Sequence, residues 1–450
     1  MQWPEAGKQG GMVPCRLDSI ARLLALLTML FCAAANVAEA EEYSFDLSEF
    51  EKKPYHLSGY VELRPMLFGL DHDAALYRLR IFDQDEDDTT AEHNGRLQLE
   101  GSLEKGMSRL FVRANGDYRA SYLGESITAT VYDAFLSFKP TASLGLEAGK
   151  KSLRWGTGYA WNPVAFLDRL KDPDDPELDL EGFVLASATC IRSFAGPLRT
   201  LSLAPVLLPV RGKMNDDFGK SEHLNAGGKL YFLLYDTDID LLFLTGGSRT
   251  NRYGVDFARN LAANFEVHGE FAYIRRVHKQ IVQSTGAIFE QEEDAQNWLV
   301  GIRYLTEAET TWIVEYYHNG GGYSREEMEN FFRFIDQGYD DFQANGDTGL
   351  LQKAKNLAER GYGRMNPMRN YLYLRASQKD PFDILYFTPA ITAISNLDDG
   401  SLSLSPELLY MGITDLELRV KGSWLVGSRL NEYGEKQNNW RLEFRVRYSF

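Results

Sequence analysis

The sequence predicts an all-β fold: a transmembrane antiparallel β-barrel of about 18 strands (16–18), with a helical hairpin in one long extracellular loop. Three observations predict it. Pieces of about ten residues alternate apolar and polar side chains along most of the chain, the period of a strand with one face in an apolar medium. The connections between those pieces alternate between short and long. After residue 40 no piece reaches the ~18 consecutive apolar residues of a spanning helix, and mean hydropathy over the 450 residues is -0.33.

The first element is an export signal. Arg16 and Arg22 precede the apolar run 23–38, and Ala38-Glu39-Ala40 puts small residues where a signal peptidase reads them. Residues 1–40 are expected to be cleaved, with translation starting at Met1 or Met12. Residues 41–54 then form a short periplasmic segment ahead of a barrel over 55–450. Cys190 is the one cysteine left after cleavage, so no intramolecular disulfide can form.

The strands follow. Leu97, Leu99, Gly101 and Leu103 share one parity, and Arg96, Gln98, Glu100 and Ser102 the other. Leu110, Val112, Ala114 and Tyr118 alternate with Arg109, Arg113, Asn115, Asp117 and Arg119. Similar segments lie near 57–67, 127–138, 143–151, 183–192, 199–208, 225–235, 239–246, 253–259, 265–274, 297–305, 310–317, 370–376, 383–393, 401–411 and 416–426. The long connections read as 70–93, 154–181, 209–222, 277–293, 318–368 and 428–438. The chain ends on "NNWRLEFRVRYSF", with Trp440, Leu442, Phe444, Val446, Tyr448 and Phe450 on one face and Arg441, Glu443, Arg445 and Arg447 on the other. In lipid an open strand edge leaves amides without partners, so the sheet must close. A barrel this wide encloses water, where inward charges are tolerated. A soluble sandwich or propeller fits less well, because Trp and Tyr cluster at strand ends and no blade-length repeat occurs. The net charge of -16 argues against nucleic acid as a partner.

Residues 131–184 carry a recognisable order: Asp133-Ala134-Phe135-Leu136, then Gly149-Lys150-Lys151, then Trp155-Gly156, then Asn162-Pro163. This order resembles porin-like outer-membrane proteins, including the alginate-export and related uncharacterised barrel families. Lys150-Lys151 departs from the Arg-Gln usual there, and "KDPDDPEL" is not the common continuation. The resemblance implies an outer-membrane channel. It also implies that the aromatic C-terminal strand, through Tyr448 and Phe450, is what the barrel-assembly machinery recognises.

The loop after Trp155 is stiffened by Pro173 and Pro176, and Gly156 and Gly158 permit a sharp bend off the strand. It carries Arg154, Asp168, Arg169, Lys171, Asp172, Asp174 and Asp175. Folded into the lumen, these charges would make a constriction with a transverse field; folded outward, they would be a solvated loop. Arg419, Lys421, Arg441, Arg445 and Arg447 form a basic ladder on the last two strands. That ladder either lines an anion path or is balanced by Glu417, Glu443 and Glu62.

The 318–368 segment has helical periodicity. Ser324 and Glu327 have capping-box spacing, Met328, Phe331, Phe332 and Ile335 make an apolar face, and Leu350, Leu351, Ala354 and Leu357 repeat it before Gly361. Such a hairpin either plugs the lumen or caps its rim. The acidic run 83–88 lacks the glycine of a calcium loop and reads as solvated. No serine motif accompanies His268 and Glu270, and no catalytic, metal or cofactor motif is evident.

The function expected is a passive porin-like channel for small hydrophilic solutes or an oligo- or polysaccharide. It would sit against outer-membrane lipid and lipopolysaccharide as a monomer or homotrimer. The alternatives are a non-conducting structural or assembly barrel closed by its long loop, and a lipid-acting barrel enzyme.

Overall fold

A computed structural model of the protein describes residues 53–83 and 87–450. The expected export signal at 1–40, most of the 41–54 segment and the middle of the acidic run lie outside the described residues.

Eighteen strands form one sheet that closes on itself. The first third of the wall is β1 (Tyr55–Leu70), β2 (Thr89–Lys105), β3 (Ser108–Ser121), β4 (Gly124–Thr141), β5 (Leu144–Lys151) and β6 (Phe183–Ser193). The second is β7 (Leu198–Val210), β8 (His223–Leu234), β9 (Thr237–Thr245), β10 (Arg252–Ala262), β11 (Phe265–Val282) and β12 (Ile288–Leu305). The last is β13 (Thr310–Asn319), β14 (Asn370–Gln378), β15 (Phe387–Asn396), β16 (Leu402–Ile413), β17 (Leu416–Val426) and β18 (Asn438–Ser449). Each strand pairs antiparallel with its sequence neighbours, and β1 pairs with β18.

The seam explains the terminal phenylalanine. Gly59 and Phe450 exchange both backbone hydrogen bonds, at 3.0 and 2.9 Å. A Cβ at Gly59 would lie 3.1 Å from the Phe450 ring and 2.3 Å from the Gln98 carbonyl, so only glycine leaves room there.

The alternation has one consistent sidedness. Leu97 and Leu99 are each 43% exposed, while Gln98 between them is 3% exposed. On β18, Phe444, Val446 and Tyr448 are exposed while Glu443 and Arg445 are buried. Apolar side chains face out and charged ones face in, the reverse of a soluble domain.

Three expected boundaries differ: the connection expected over 70–93 contains a helix and ends early, with β2 starting at Thr89. Residues 277–293 are not a loop: β11 and β12 run through them as a hairpin with a turn at 283–287. A register shift between Ile274 and Val277 interrupts the pairing, and Arg276 adopts φ 49°. Beyond that point apolar residues come in adjacent pairs, Ile281-Val282 buried and Ile288-Phe289 exposed, so the alternation that marks a strand is lost while the pairing continues. The strand read at 383–393 begins only at Phe387, because 380–386 is a turn with several left-handed residues.

Helices sit at the end of the barrel opposite Tyr55 and Phe450. α1 (Ala75–Ile81) lies between β1 and β2; α2 (Arg325–Asn345) and α3 (Gly349–Leu357) lie between β13 and β14. The capping box forms as expected, with Glu327 N donating to Ser324 Oγ at 3.3 Å and Ser324 N donating to Glu327 Oε2 at 2.8 Å. Met328, Phe331, Phe332 and Ile335 are all buried, as are Leu351, Ala354 and Leu357. The hairpin packs on α1 and on β11. It therefore caps the rim rather than threading the lumen.

Asp336 of α2 ties that cap down. Its Oδ1 accepts from Arg78 at 2.7 Å and its Oδ2 from Arg429 at 2.5 Å, linking three separate connections. Asp336→Asn is expected to weaken this latch by ~1 kcal/mol. Hydrogen–deuterium exchange over 325–345 should quicken, with exchange in the wall strands unchanged.

Candidate functional site

The site is built from the connection between β5 and β6, residues 152–182. β5 has only eight residues, so the chain leaves the wall early. Arg154 at φ 54° and Gly156 at φ 97° turn it inward. A Cβ at Gly156 would lie 2.7 Å from Glu270 Oε1, which is why the backbone can approach that carboxylate so closely.

The base of the loop is braced by Asp168. Its Oδ1 accepts from Leu153 N at 2.7 Å and Ser152 Oγ at 3.1 Å, and its Oδ2 from Trp155 N at 3.1 Å. Arg169 donates to the Glu181 and Gly182 carbonyls at 2.6 and 2.9 Å and to Asp217 at 2.6 Å. Arg154 pairs with Asp179. Lys171 donates to the Gly158 and Tyr159 carbonyls at 2.8 and 3.2 Å, and burial lowers its ammonium pKa. These four charges, expected to line a constriction, are bonded to the loop itself or to its immediate neighbours.

The loop then docks on three inner walls. First, Trp155, Val164, Phe166 and Leu167 pack on inward-facing Phe183, Leu185, Val206, Leu208, Val210, Leu242, Leu244 and Ala272. The expectation of a uniformly wet lumen fails here. Part of the inner wall is apolar, and the loop fills it as a second core.

Second, two buried glutamates seize the loop backbone. Glu270 on β11 accepts from Thr157 N, Gly158 N, Asn162 Nδ2 and Val164 N at 2.6–3.2 Å. Glu315 on β13, with no exposed surface, accepts from Tyr159 N, from Ala160 N at 2.9 Å and from His268 Nε2 at 2.9 Å. Asn162 bridges to the Gly158 carbonyl at 2.9 Å, and Pro163 follows it into the turn. Trp161 stacks on Tyr317 and donates to Asn366 at 3.1 Å, joining the loop to the core beneath the helical cap.

Third, the acidic tip meets the basic ladder. Arg419 donates to Asp175 Oδ2 at 2.9 Å and to Glu443 at 3.1 Å, with Glu407 3.5 Å away. Lys421 donates to the Asp174 carbonyl, and Arg441 stands 3.5 Å from the Asp174 carboxylate. Burial alone would raise the Asp175 pKa; Arg419, Lys421 and Arg445 outweigh it and hold the carboxyl below its ordinary range. Asp172 accepts from Asp174 N at 2.9 Å, and burial raises its carboxyl. Arg445 pairs with Glu417 at 2.6 Å, and Arg447 with Glu62 at 2.7 Å. The ladder is therefore balanced by carboxylates, and its upper half holds the loop.

Glu270, Glu315 and Arg113 carry as much of this arrangement as the residues expected from sequence. Arg113 on β3 binds Asp179 of the loop at 3.0 Å and Glu100 at 2.7 Å. The inward parity of His268 and Glu270 is readable in the sequence; the partner of Glu270, a loop more than a hundred residues away, is not. Above the tip, a cavity of about 190 Å³ opens between Asp172, Asp174, Ser403, Ser423, Tyr433 and Arg441.

A scan against protein-family models gives no match, and a search of curated proteins gives none. Solved structures similar to this chain include the outer-membrane protein OprD from Pseudomonas aeruginosa, at 12% identity and TM-score 0.46, covering 89% of this chain and 96% of that one. Another is OccAB1 from Acinetobacter baumannii, at 9% identity and TM-score 0.49, covering 88% and 97%. A third is Salmonella typhi OmpF in complex with daunomycin, at 10% identity and TM-score 0.41, covering 88% and 97%. Likenesses at this level carry no assignment of residues or cargo.

Proposed function

We propose that the protein is a porin-like outer-membrane channel for passive passage of small hydrophilic solutes, with the 152–182 loop as its constriction. The observation that carries this reading is the loop's course. It leaves β5, covers the inner faces of β6–β10, docks on β11 and β13, and reaches β17 with its acidic tip. Inward-facing Asp240 and Asp256 on one side of the lumen, and the carboxylate-balanced ladder of Arg419, Lys421, Arg441 and Arg445 on another, set charged groups around the loop. A polar path past fixed charges selects solutes by charge.

The exposed apolar belt supports a lipid setting. Leu99, Val112, Leu136, Phe243, Trp298, Leu408 and Phe444 are each well exposed on the outward parity, a belt that water would not tolerate. In this setting the end carrying the termini is periplasmic, the aromatic β18 with Tyr448 and Phe450 serves barrel assembly, and lipopolysaccharide meets the other rim. Arg placed at Leu442 or Val446 is expected to cost ~2–4 kcal/mol in folding titrations from lipid vesicles; a neutral result would mean the outward face is misassigned.

Recording in planar bilayers tests the channel directly. Stepwise conductance is expected, and reversing Arg441, Arg445 and Arg447 to glutamate should shift ion selectivity toward cations. Unaltered selectivity would place the ladder off the path. The second reading is a barrel closed by its long loop, and the same recording separates it. It requires silent wild-type protein and current only after deletion of 320–366.

A further inference from the structure

The turns at the end of the barrel where β1 begins and β18 ends have two residues or four, except the connection 379–386 between β14 and β15. This one exposes Phe382 by 88%, Leu385 by 66%, Tyr386 by 59% and Ile384 by 47%. It is ordered: Tyr386 N donates to Asp380 Oδ1 at 2.5 Å, Ile384 N to the Pro381 carbonyl at 3.2 Å, and Met411 N to the Tyr386 carbonyl at 3.0 Å. Yet Asp380, Phe382, Asp383 and Tyr386 all hold φ between 47° and 65°, a conformation that side chains other than glycine resist. The turn thus accepts backbone strain to hold apolar side chains outward, where the chain offers them little cover.

We propose that residues 381–386 form an apolar keel seated in the headgroup–acyl boundary of the inner phospholipid leaflet. The inference rests on the membrane reading above. The wall argues for lipid as the occupant, since the keel continues an outward row that is already apolar. Phe387 stands opposite Tyr410, and exposed Ile391 and Leu408 lie further up the same two strands. Lys379 at the start of the turn is exposed, and its ammonium suits the phosphate layer. Tyr386, apolar with a polar tip, suits the same depth.

The test uses the full barrel with Cys190→Ser, carrying single cysteines at Phe382, Leu385 or Ile391 labelled with an environment-sensitive fluorophore. The protein is reconstituted into phosphatidylcholine–phosphatidylethanolamine vesicles bearing nitroxides either near the headgroup or near the acyl-chain end. Blue-shifted emission is expected at all three sites. Positions 382 and 385 should be quenched more by the shallow nitroxide, and 391 more by the deep one. Water-like, unquenched emission at both 382 and 385, with 391 quenched, overturns the keel and leaves the barrel in its membrane. Absence of quenching at 391 overturns the membrane reading itself. Burial of 382 only on adding periplasmic extract assigns the turn to a protein partner and also overturns the proposal.

Discussion

Replacing Glu270 with alanine is expected to release residues 157–164 from the barrel wall. Its two carboxylate oxygens accept three backbone amides and the Asn162 side chain, all within 3.2 Å. Removing the acceptor strands four donors in a site where Glu270 itself is 4% exposed. At ~1–3 kcal/mol for each buried unpaired donor, and with neighbours not additive, docking should weaken by about 4 kcal/mol or more. The loop then has less reason to stay on β11. Single-channel conductance should rise several-fold, and limited proteolysis should open sites within 157–179 that are protected in the wild type. Glu270→Gln should fall between the two, because its amide oxygen still accepts while its NH2 opposes the donors. Unchanged conductance and protection in Glu270→Ala would dispose of the idea that this carboxylate holds the constriction.

Arg419→Met is the second large effect. Arg419 is 6% exposed and lies within 3.5 Å of Asp175, Glu443 and Glu407. Without it three carboxylates face one another, with Lys421 and Arg445 near and Arg375 3.2 Å from Glu407, and breaking such a buried cluster costs ~3–5 kcal/mol. Thermal unfolding in detergent should report the loss. Adding Glu443→Gln should recover part of it, because one of the stranded charges is gone; no recovery would mean that Arg419 acts through packing alone. The pH dependence has a defined sign. The Asp175 carboxyl is held below its ordinary range, so its share of docking is present above the usual aspartate pKa of ~3.9. That share is lost as pH falls below that value.

How much of this was legible depends on the kind of signal. The strands were readable because each residue reports its own surroundings: Phe444 meets the outer medium, Arg445 the interior, and the period of two follows. The capping box at Ser324 and the buried face of Met328, Phe331, Phe332 and Ile335 were readable for the same local reason. The hairpin through 277–293 was not, since its apolar residues fall in adjacent pairs, Ile281-Val282 and Ile288-Phe289, and parity says nothing. The covered inner patch leaves one local trace: "PVLLPV" in β7 is apolar on both parities, which marks a strand whose inner face is covered as well as its outer one.

The site was legible as a set of charges and illegible as a set of partners. Asp168, Arg169 and Lys171 look no different in sequence from Asp174 and Asp175, yet the first three brace the loop and the last two reach the far wall. Glu270 takes the Gly158 amide across 112 positions of chain, and Arg419 takes Asp175 across 244.

The amino-acid sequence by itself determined most of the wall: some 16–18 strands, the face presented along the apolar belt, the need to close, and the α2–α3 hairpin of the cap. Each of these answers to a residue's immediate medium and a period of two or 3.6. Only the tertiary structure decided where the 152–182 loop goes. A charged side chain is equally at home in open water and in a watery lumen, so nothing local distinguishes the two. The choice fell to carboxylates, arginines and an apolar inner patch that come together only when the sheet has closed.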